Sequence, residues 1–182
     1  MTTPTPTQLY VGFSRGDSWL SRLIIKLTGL WSHCFLFFAA PEAIESIDAW
    51  YYESNFGKGV EGPKPWQKLV DWAKRGKTRR WELIQVYGDL EWIAAVEERA
   101  RGMVGRKGYG ELQIAWLWAK IRFGRKVPPS PDQVICSEFV ARCLAPELDI
   151  RDPQHPTFEE VTPGSIYKRL MQRQESRGSN AR

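Results

Sequence analysis

From Gln8 to Ser14 (QLYVGFS) apolar and polar residues alternate with the period of a strand that buries one face, and Arg15-Gly16 ends the run. Asp17 or Ser18 then stands where a helix needs its cap, and Trp19, Leu20, Leu23, Ile24 and Leu27 follow at helical spacing to a stop at Gly29. Ser32 to Phe38 (SHCFLFF) is a short aromatic run between Gly29 and Pro41, which suits a buried strand. Alternation puts His33, Phe35 and Phe37 on one face of that strand and Cys34, Leu36 and Phe38 on the other. Ser46 to Ser54 reads as the next strand and leads into a glycine turn at Gly57 and Gly59. Trp66 to Lys74 is a short helix and Thr78 to Val86 a further strand.

The second half is helical. Leu90 to Met103 carries Ile93, Val96 and Ala100 at helical spacing, and Gly102, Gly105, Gly108 and Gly110 then break the chain into a loop. Glu111 to Phe123 is a tryptophan-rich helix, ended by the three prolines of Val127 to Pro131. Asp132 to Leu144 makes a helix with Cys136 in its first turn, and Pro163 to Gln172 a last one. Strands cluster before residue 87 and helices follow, so the expected class is α+β. No repeat or long linker divides the chain. One domain is expected over residues 8–174, between a disordered tail over 1–7 and a flexible basic tail over 175–182.

Composition changes this picture little. Hydrophobic residues make up 42% and charged residues 26% of the 182, the balance of a globular chain, which excludes collagen-like, coiled-coil and wholly disordered classes. The net charge of +5 gathers at the end, where Lys168, Arg169, Arg173, Arg177 and Arg182 face one anion, Glu175. A solvated terminus is the plain reading, and contact with phosphate or an anionic surface the other. Three cysteines without CxxC spacing indicate neither a disulfide framework nor a zinc ribbon. No signal peptide is expected from the Thr- and Pro-rich start, and no transmembrane helix, since no apolar run reaches the length one needs. The expected location is cytoplasmic or virion-associated.

With two histidines in the chain, acid-base chemistry near neutral pH falls to His33 or His155, or to carboxylates of shifted pKa. His155 lies in a polar proline loop, DPQHPT, and reads as an exposed residue without a special role. His33 opens an apolar strand, where a satisfied core or rim histidine is the ordinary outcome. A thiol is a useful nucleophile only as thiolate, which a helix N-terminus favours, and Cys136 is placed there. On spacing alone, however, Cys136 is more readily core than catalytic. Cys143, two turns on and on the same face, is a buried small hydrophobe, and Cys34, pointing away from His33 on a regular strand, is core as well. A metal site is not expected, because His33 and Cys34 on opposite strand faces cannot converge. No GxxxxGK[ST] phosphate-binding loop occurs.

Taken together, these segments resemble the permuted branch of the NlpC/p60 papain-like superfamily, the YiiX-like group. GFSRGDSWLSRLIIKLTGLWSHCFLFF is similar to its opening, with Thr28, Gly29, Ser32 and His33 at matching positions. YYESNFGKGV resembles its Glu followed by Gly-Val, here Glu53, Gly59 and Val60; GRKGYG its Gly-x-x-Tyr loop, here Tyr109; and ICSEFV its Cys-Ser-Glu signature at Cys136, Ser137 and Glu138. VTPGSIYKRL is similar to its closing Thr-Pro helix. The pieces run in order from about residue 9 to residue 170, and histidine precedes cysteine as circular permutation gives. The strand after His33 departs from that pattern in being aromatic where the group often has a small residue.

The resemblance implies an antiparallel sheet packed against helices and a nucleophilic mechanism in which Cys136 attacks a carbonyl, His33 is its acid-base partner and Glu53 orients His33. It implies substrate contacts from Tyr109, Ser137 and Ser32, a structural or cleft-edge Glu138, and no cofactor or metal. Three functions follow as expectations. The first is a cysteine amidase or endopeptidase acting on a peptide or peptidoglycan-like amide. The second keeps the dyad but acts on lipid esters or thioesters, since residues 19–31 and 112–126 have a basic, tryptophan-rich amphipathic character suited to a membrane surface. The third is a structural module of a phage particle, in which some of the nine tryptophans, such as Trp31, Trp66, Trp116 and Trp118, anchor a partner. Specific nucleic-acid binding is not expected.

Overall fold

The computed structural model describes residues 6–40, 49–75, 78–108, 133–145, 147–148 and 161–180, together with Ala119, Phe123 and Phe158. Strand β1 (Gln8–Gly16) leads into helix α1 (Trp19–Thr28), whose N-cap is Ser18: its Oγ accepts from Ser21 N–H at 3.0 Å. Gly29, at φ 104°, ends α1 and turns the chain into β2 (His33–Ala39). Strands β3 (Ala49–Asn55) and β4 (Gly59–Pro65) follow, then helix α2 (Trp66–Lys74), strand β5 (Thr78–Val86) and helix α3 (Leu90–Met103). The two-residue strands β6 (Lys107–Gly108) and β7 (Gln133–Val134) precede helices α4 (Cys136–Leu144) and α5 (Pro163–Asn180). The architecture is mixed α+β.

β1 to β5 make one antiparallel sheet in the order β4-β3-β2-β1-β5, so β2 is central. Its alternating residues feed two cores. Leu9, Val11 and Phe13 of β1, Leu36 and Phe38 of β2 and Ile84 of β5 pack in one cluster with apolar residues of α3, α4 and α5. Phe35, Phe37 and Tyr51 pack on the other side with Leu69 of α2. Gly12 pairs with Phe35 across β1 and β2, and a Cβ there would lie 2.1 Å from the Phe35 ring, so the absence of a side chain at Gly12 makes room for the large one.

Four expectations need correction. β4 was not expected, because Gly62, Pro63 and Pro65 interrupt any apolar alternation; as the outermost strand it tolerates prolines that a central strand would not. The helix expected from Asp132 begins at Cys136, since Gln133 and Val134 are extended and pair in parallel with Lys107 and Gly108. The last helix continues beyond Gln172 to Asn180, into the residues assigned to the tail. Gln174 Nε2 donates to the Gln85 carbonyl at 3.3 Å and the Arg177 guanidinium lies over the Tyr87 ring, contacts that hydrophobic spacing does not encode. Trp31 is fully buried, in contact with Phe13 and Tyr167, and so presents no surface to a partner. The expected helix over Glu111–Phe123, with Trp116 and Trp118, lies outside the described residues apart from Ala119 and Phe123, as do residues 1–5 and 46–48. No helix among the described residues is long and apolar enough to cross a membrane.

One buried carboxylate ties the sheet to its helical layer. Glu97 of α3 is 6% exposed and accepts from Trp50 Nε1 and the Tyr52 hydroxyl, each at 3.1 Å, and from Arg101 at 2.9 Å. Removing it strands two buried donors, an effect of about 1–3 kcal/mol for each unsatisfied group. Glu97→Ala is therefore expected to cost roughly 2–4 kcal/mol in urea unfolding, with Glu97→Gln costing less; a loss below about 0.5 kcal/mol, the usual range of surface changes, contradicts the assignment.

Candidate active site

The register of the sheet creates the site. β1 pairs with β2 as far as Ser14↔His33, but the pairing of β2 with β3 stops at Phe35↔Glu53. At His33 and Cys34 the central strand has thus lost its β3 neighbour. Ser54 Oγ, at the end of β3, donates to the Val134 carbonyl at 2.5 Å and so holds β7 beside the gap, one residue before the turn into α4. Ile135 is the N-cap of α4 and supplies no side-chain cap; the first helical bond runs from Phe139 N–H to the Ile135 carbonyl. The amides of Cys136 and Ser137 therefore start α4 without an intrahelical partner.

His33 meets Glu53 and Cys136 together. His33 Nε2 lies 3.0 Å from Glu53 Oε2, and because a carboxylate only accepts, Nε2 carries the proton. That leaves Nδ1 facing Cys136, whose sulfur is near enough to the imidazole for charge and hydrogen bonding to shift both groups. The same sulfur is contacted by the thiol and the backbone N–H of Cys34. Sequence alternation separates His33 from Cys34, yet both reach Cys136, which places the sulfur at the flank of the strand where β3 has departed. Cys34 is buried core, as expected, but it is also the thiol that touches Cys136.

The electrostatics follow from these contacts. The Cys34 hydrogen bond favours the Cys136 thiolate; burial opposes it, and the charge and hydrogen bond of His33 act with Cys34, so the thiol is held well below its ordinary range. Burial by itself pulls the His33 pKa down, but the Cys136 thiolate and then Glu53 outweigh it and raise it to about 10. Glu53, which burial would push up, is lowered to about 2 by the His33 hydrogen bond and charge and then by Lys64. Cys34 and Cys143 are pushed up by burial, and Cys143 Sγ rests 3.9 Å from Met103 Sδ in the core. Cys136 thus has the chemistry of a nucleophile and the other two thiols do not.

Behind Glu53 lies a relay that the sequence did not reveal. Lys64 Nζ donates to Glu53 Oε1 at 2.9 Å and to Glu61 Oε2 at 2.7 Å, and Asn55 Nδ2 donates to the same Glu61 oxygen at 2.9 Å. Lys64 and Glu61 belong to β4, so the signal that could have found them was the edge strand itself. Recognising Val60 to Pro65 as a proline-bearing edge would have set them opposite Tyr51 and Glu53.

A cavity of about 620 Å³ opens on the face bearing His33, Phe35 and Glu53, and α1 and α2 flank it. Cys136 does not line it and is 5% exposed; the imidazole, touching both, stands between cavity and thiol. Ser32 lines the cavity, while its Oγ donates to the Ser14 carbonyl at 3.2 Å and accepts from Gly16 N–H at 3.3 Å. Ser137 is 1% exposed, its hydroxyl donating to the Val161 carbonyl at 2.6 Å, so it braces α4 against the segment before α5 and is absent from the cavity wall. Glu138 is buried and pairs with Arg142 at 2.8 Å. Tyr109 and His155 lie outside the described residues. Among the described residues no cluster of His, Cys, Asp and Glu has the makings of a metal site.

No family model and no curated protein matches this chain. What the site can do is therefore argued from its own groups. A thiol biased toward thiolate, an imidazole and a carboxylate brought together, beside helix-start amides without an intrahelical partner, have the chemistry that acyl transfer uses.

The pKa shifts fix the sign of the pH response. Stability drawn from Glu53 is complete above its usual 4.5 and is lost as pH falls toward about 2. Stability drawn from His33 is complete below 6.5 and is lost as pH rises through about 10. In urea unfolding at stepped pH, Glu53→Gln is expected to flatten the acid limb between pH 4.5 and 2 and to lower the pH at which His33 deprotonates by NMR. An acid limb and an imidazole titration equal to wild type contradict the triad geometry.

Proposed function

We propose that the chain is a cysteine hydrolase of the permuted papain-like type, with Cys136 as nucleophile, His33 as its acid-base partner and Glu53 as the residue that orients His33. The observation that carries this reading is the line of contacts from Cys136 through His33 to Glu53, made by residues that stand far apart in the chain. The order of histidine before cysteine, the start of α4 at the nucleophile and the antiparallel sheet with helices against it all fit the resemblance seen in the motifs.

The chemistry balances without a further reagent. The Cys136 thiolate adds to the substrate carbonyl carbon, and the oxyanion is met by the helix-start amides of Cys136 and Ser137. As the tetrahedral intermediate collapses, the bond from carbon to the leaving nitrogen or oxygen breaks, and that atom takes the proton from His33. A water, deprotonated by the now neutral imidazole, then attacks the thioester; the acid is released and the thiolate–imidazolium pair is restored. Glu53 keeps the ring aligned throughout and remains ionised. The expected substrate is an acyl compound, with amide and ester as the two bond types open to it.

At pH 6 iodoacetamide is expected to alkylate Cys136 at least about tenfold faster than Cys34 or Cys143, because only Cys136 is appreciably thiolate. His33→Ala is expected to abolish the difference, read as site-resolved labelling by mass spectrometry. Equal labelling of all three thiols in the folded wild-type chain overturns the proposal.

A further inference from the structure

Four serines, Ser14, Ser32, Ser54 and Ser137, are buried among the described residues. Three of their hydroxyls brace the backbone: Ser32 Oγ bonds the Ser14 carbonyl and the Gly16 N–H, Ser54 Oγ the Val134 carbonyl and Ser137 Oγ the Val161 carbonyl. The Ser14 side chain differs. It is 2% exposed, and its hydroxyl has no hydrogen-bond partner among the described residues. A buried hydroxyl left unpaired costs free energy that an apolar side chain of similar size avoids. Packing alone does not call for one, since Gly12, two residues earlier on the same face of β1, has no side chain at all.

The register says where this hydroxyl stands. Ser14 pairs with His33 across β1 and β2, so both side chains rise from one face with Cβ atoms about 5 Å apart, and both line the cavity. Trp81 pairs with Ser14 on its other side, and Ser32 holds its carbonyl, which fixes the serine backbone. Cys136 lies at the opposite flank of β2, where β3 has departed. Across the sheet the order is therefore Ser14, His33, Cys136.

We propose that Ser14 is a substrate-binding residue that hydrogen-bonds the leaving group, and that the preferred leaving group is an amine or alcohol carrying an amide or hydroxyl close to the scissile bond. The inference deepens the hydrolase reading and rests on it. In that reading Cys136 and the helix-start amides take the acyl carbon and its oxygen, and the leaving atom takes its proton from His33. What extends past the imidazole into the cavity is then the leaving group. A hydroxyl donates and accepts, so a carbonyl, an N–H or an O–H at that place satisfies Ser14. A leaving group without such an atom covers the hydroxyl and leaves it stranded, which is how a hydrogen-bonding site rejects an apolar analogue.

The test acetylates the full chain with p-nitrophenyl acetate and lets water, glycinamide and propylamine compete for the acetyl thioester. The acceptor enters where the leaving group departs, and each rate is referred to the free amine. The wild-type chain is expected to prefer glycinamide, and Ser14→Ala to reduce that preference about three- to tenfold, the worth of one neutral hydrogen bond. Ser14→Thr, which keeps the hydroxyl, is expected to keep most of it. The urea midpoint of Ser14→Ala is expected to stay level or rise, because no bond is lost; a serine kept for structure would lower it. A preference unchanged in Ser14→Ala, or a fall in both acceptors alike, overturns the proposal. If p-nitrophenolate is released in a burst that requires Cys136, such a result removes the role of Ser14 alone. If there is no burst, or if it persists in Cys136→Ser, the hydrolase reading falls and this proposal with it.

Discussion

The imidazole of His33 is the junction on which the site depends. One nitrogen is committed to Glu53 at 3.0 Å, and the other is left to the Cys136 sulfur. Neither partner would hold its charge alone, since burial pushes a thiol and a carboxyl toward their neutral forms. Together they stabilise the protonated ring, and the protonated ring stabilises them. Lys64 extends this mutual support by one more charge, and Glu61 and Asn55 anchor Lys64 in turn.

The sheet makes that junction geometrically available. A central strand normally has neighbours on both sides along its whole length, and a helix packed on one face could not reach a side chain on the other. Here β3 leaves β2 after Phe35, and the short β7 strand, held by Ser54, delivers the start of α4 to the opening. At that gap the Cys136 sulfur interacts with both His33 and Cys34. Gly12 contributes from the far side, because its missing side chain lets the Phe35 ring lie under the cavity.

Much of this was legible in the sequence wherever a local rule decides the outcome. Ser18 and Gly29 bracket α1, Trp66–Lys74 and Leu90–Met103 follow their helical periodicity, and alternation along SHCFLFF puts His33, Phe35 and Phe37 on one face. Motif order, more than spacing, singled out Cys136, His33 and Glu53. What stayed hidden depends on pairing between distant segments. β4 carries too much proline and glycine to announce itself, and with it Lys64 and Glu61 were lost. The contact of Cys34 with Cys136 was missed because the strand was read as if paired on both sides to its end. Ser137 carries a signature position, but its hydroxyl is engaged with the Val161 carbonyl, a partner that no local pattern names.

The claim beneath all of this is that His33 and Cys136 share a charge pair at neutral pH. Thiolate absorbance in the ultraviolet, followed through an acid titration of the folded chain, tests it most directly. The account predicts one thiolate already present at pH 7 and persisting well below the usual cysteine value of 9.0, and its disappearance in His33→Ala. Three cysteines that all become thiolate only at or above that value, with no effect of His33→Ala, would contradict it.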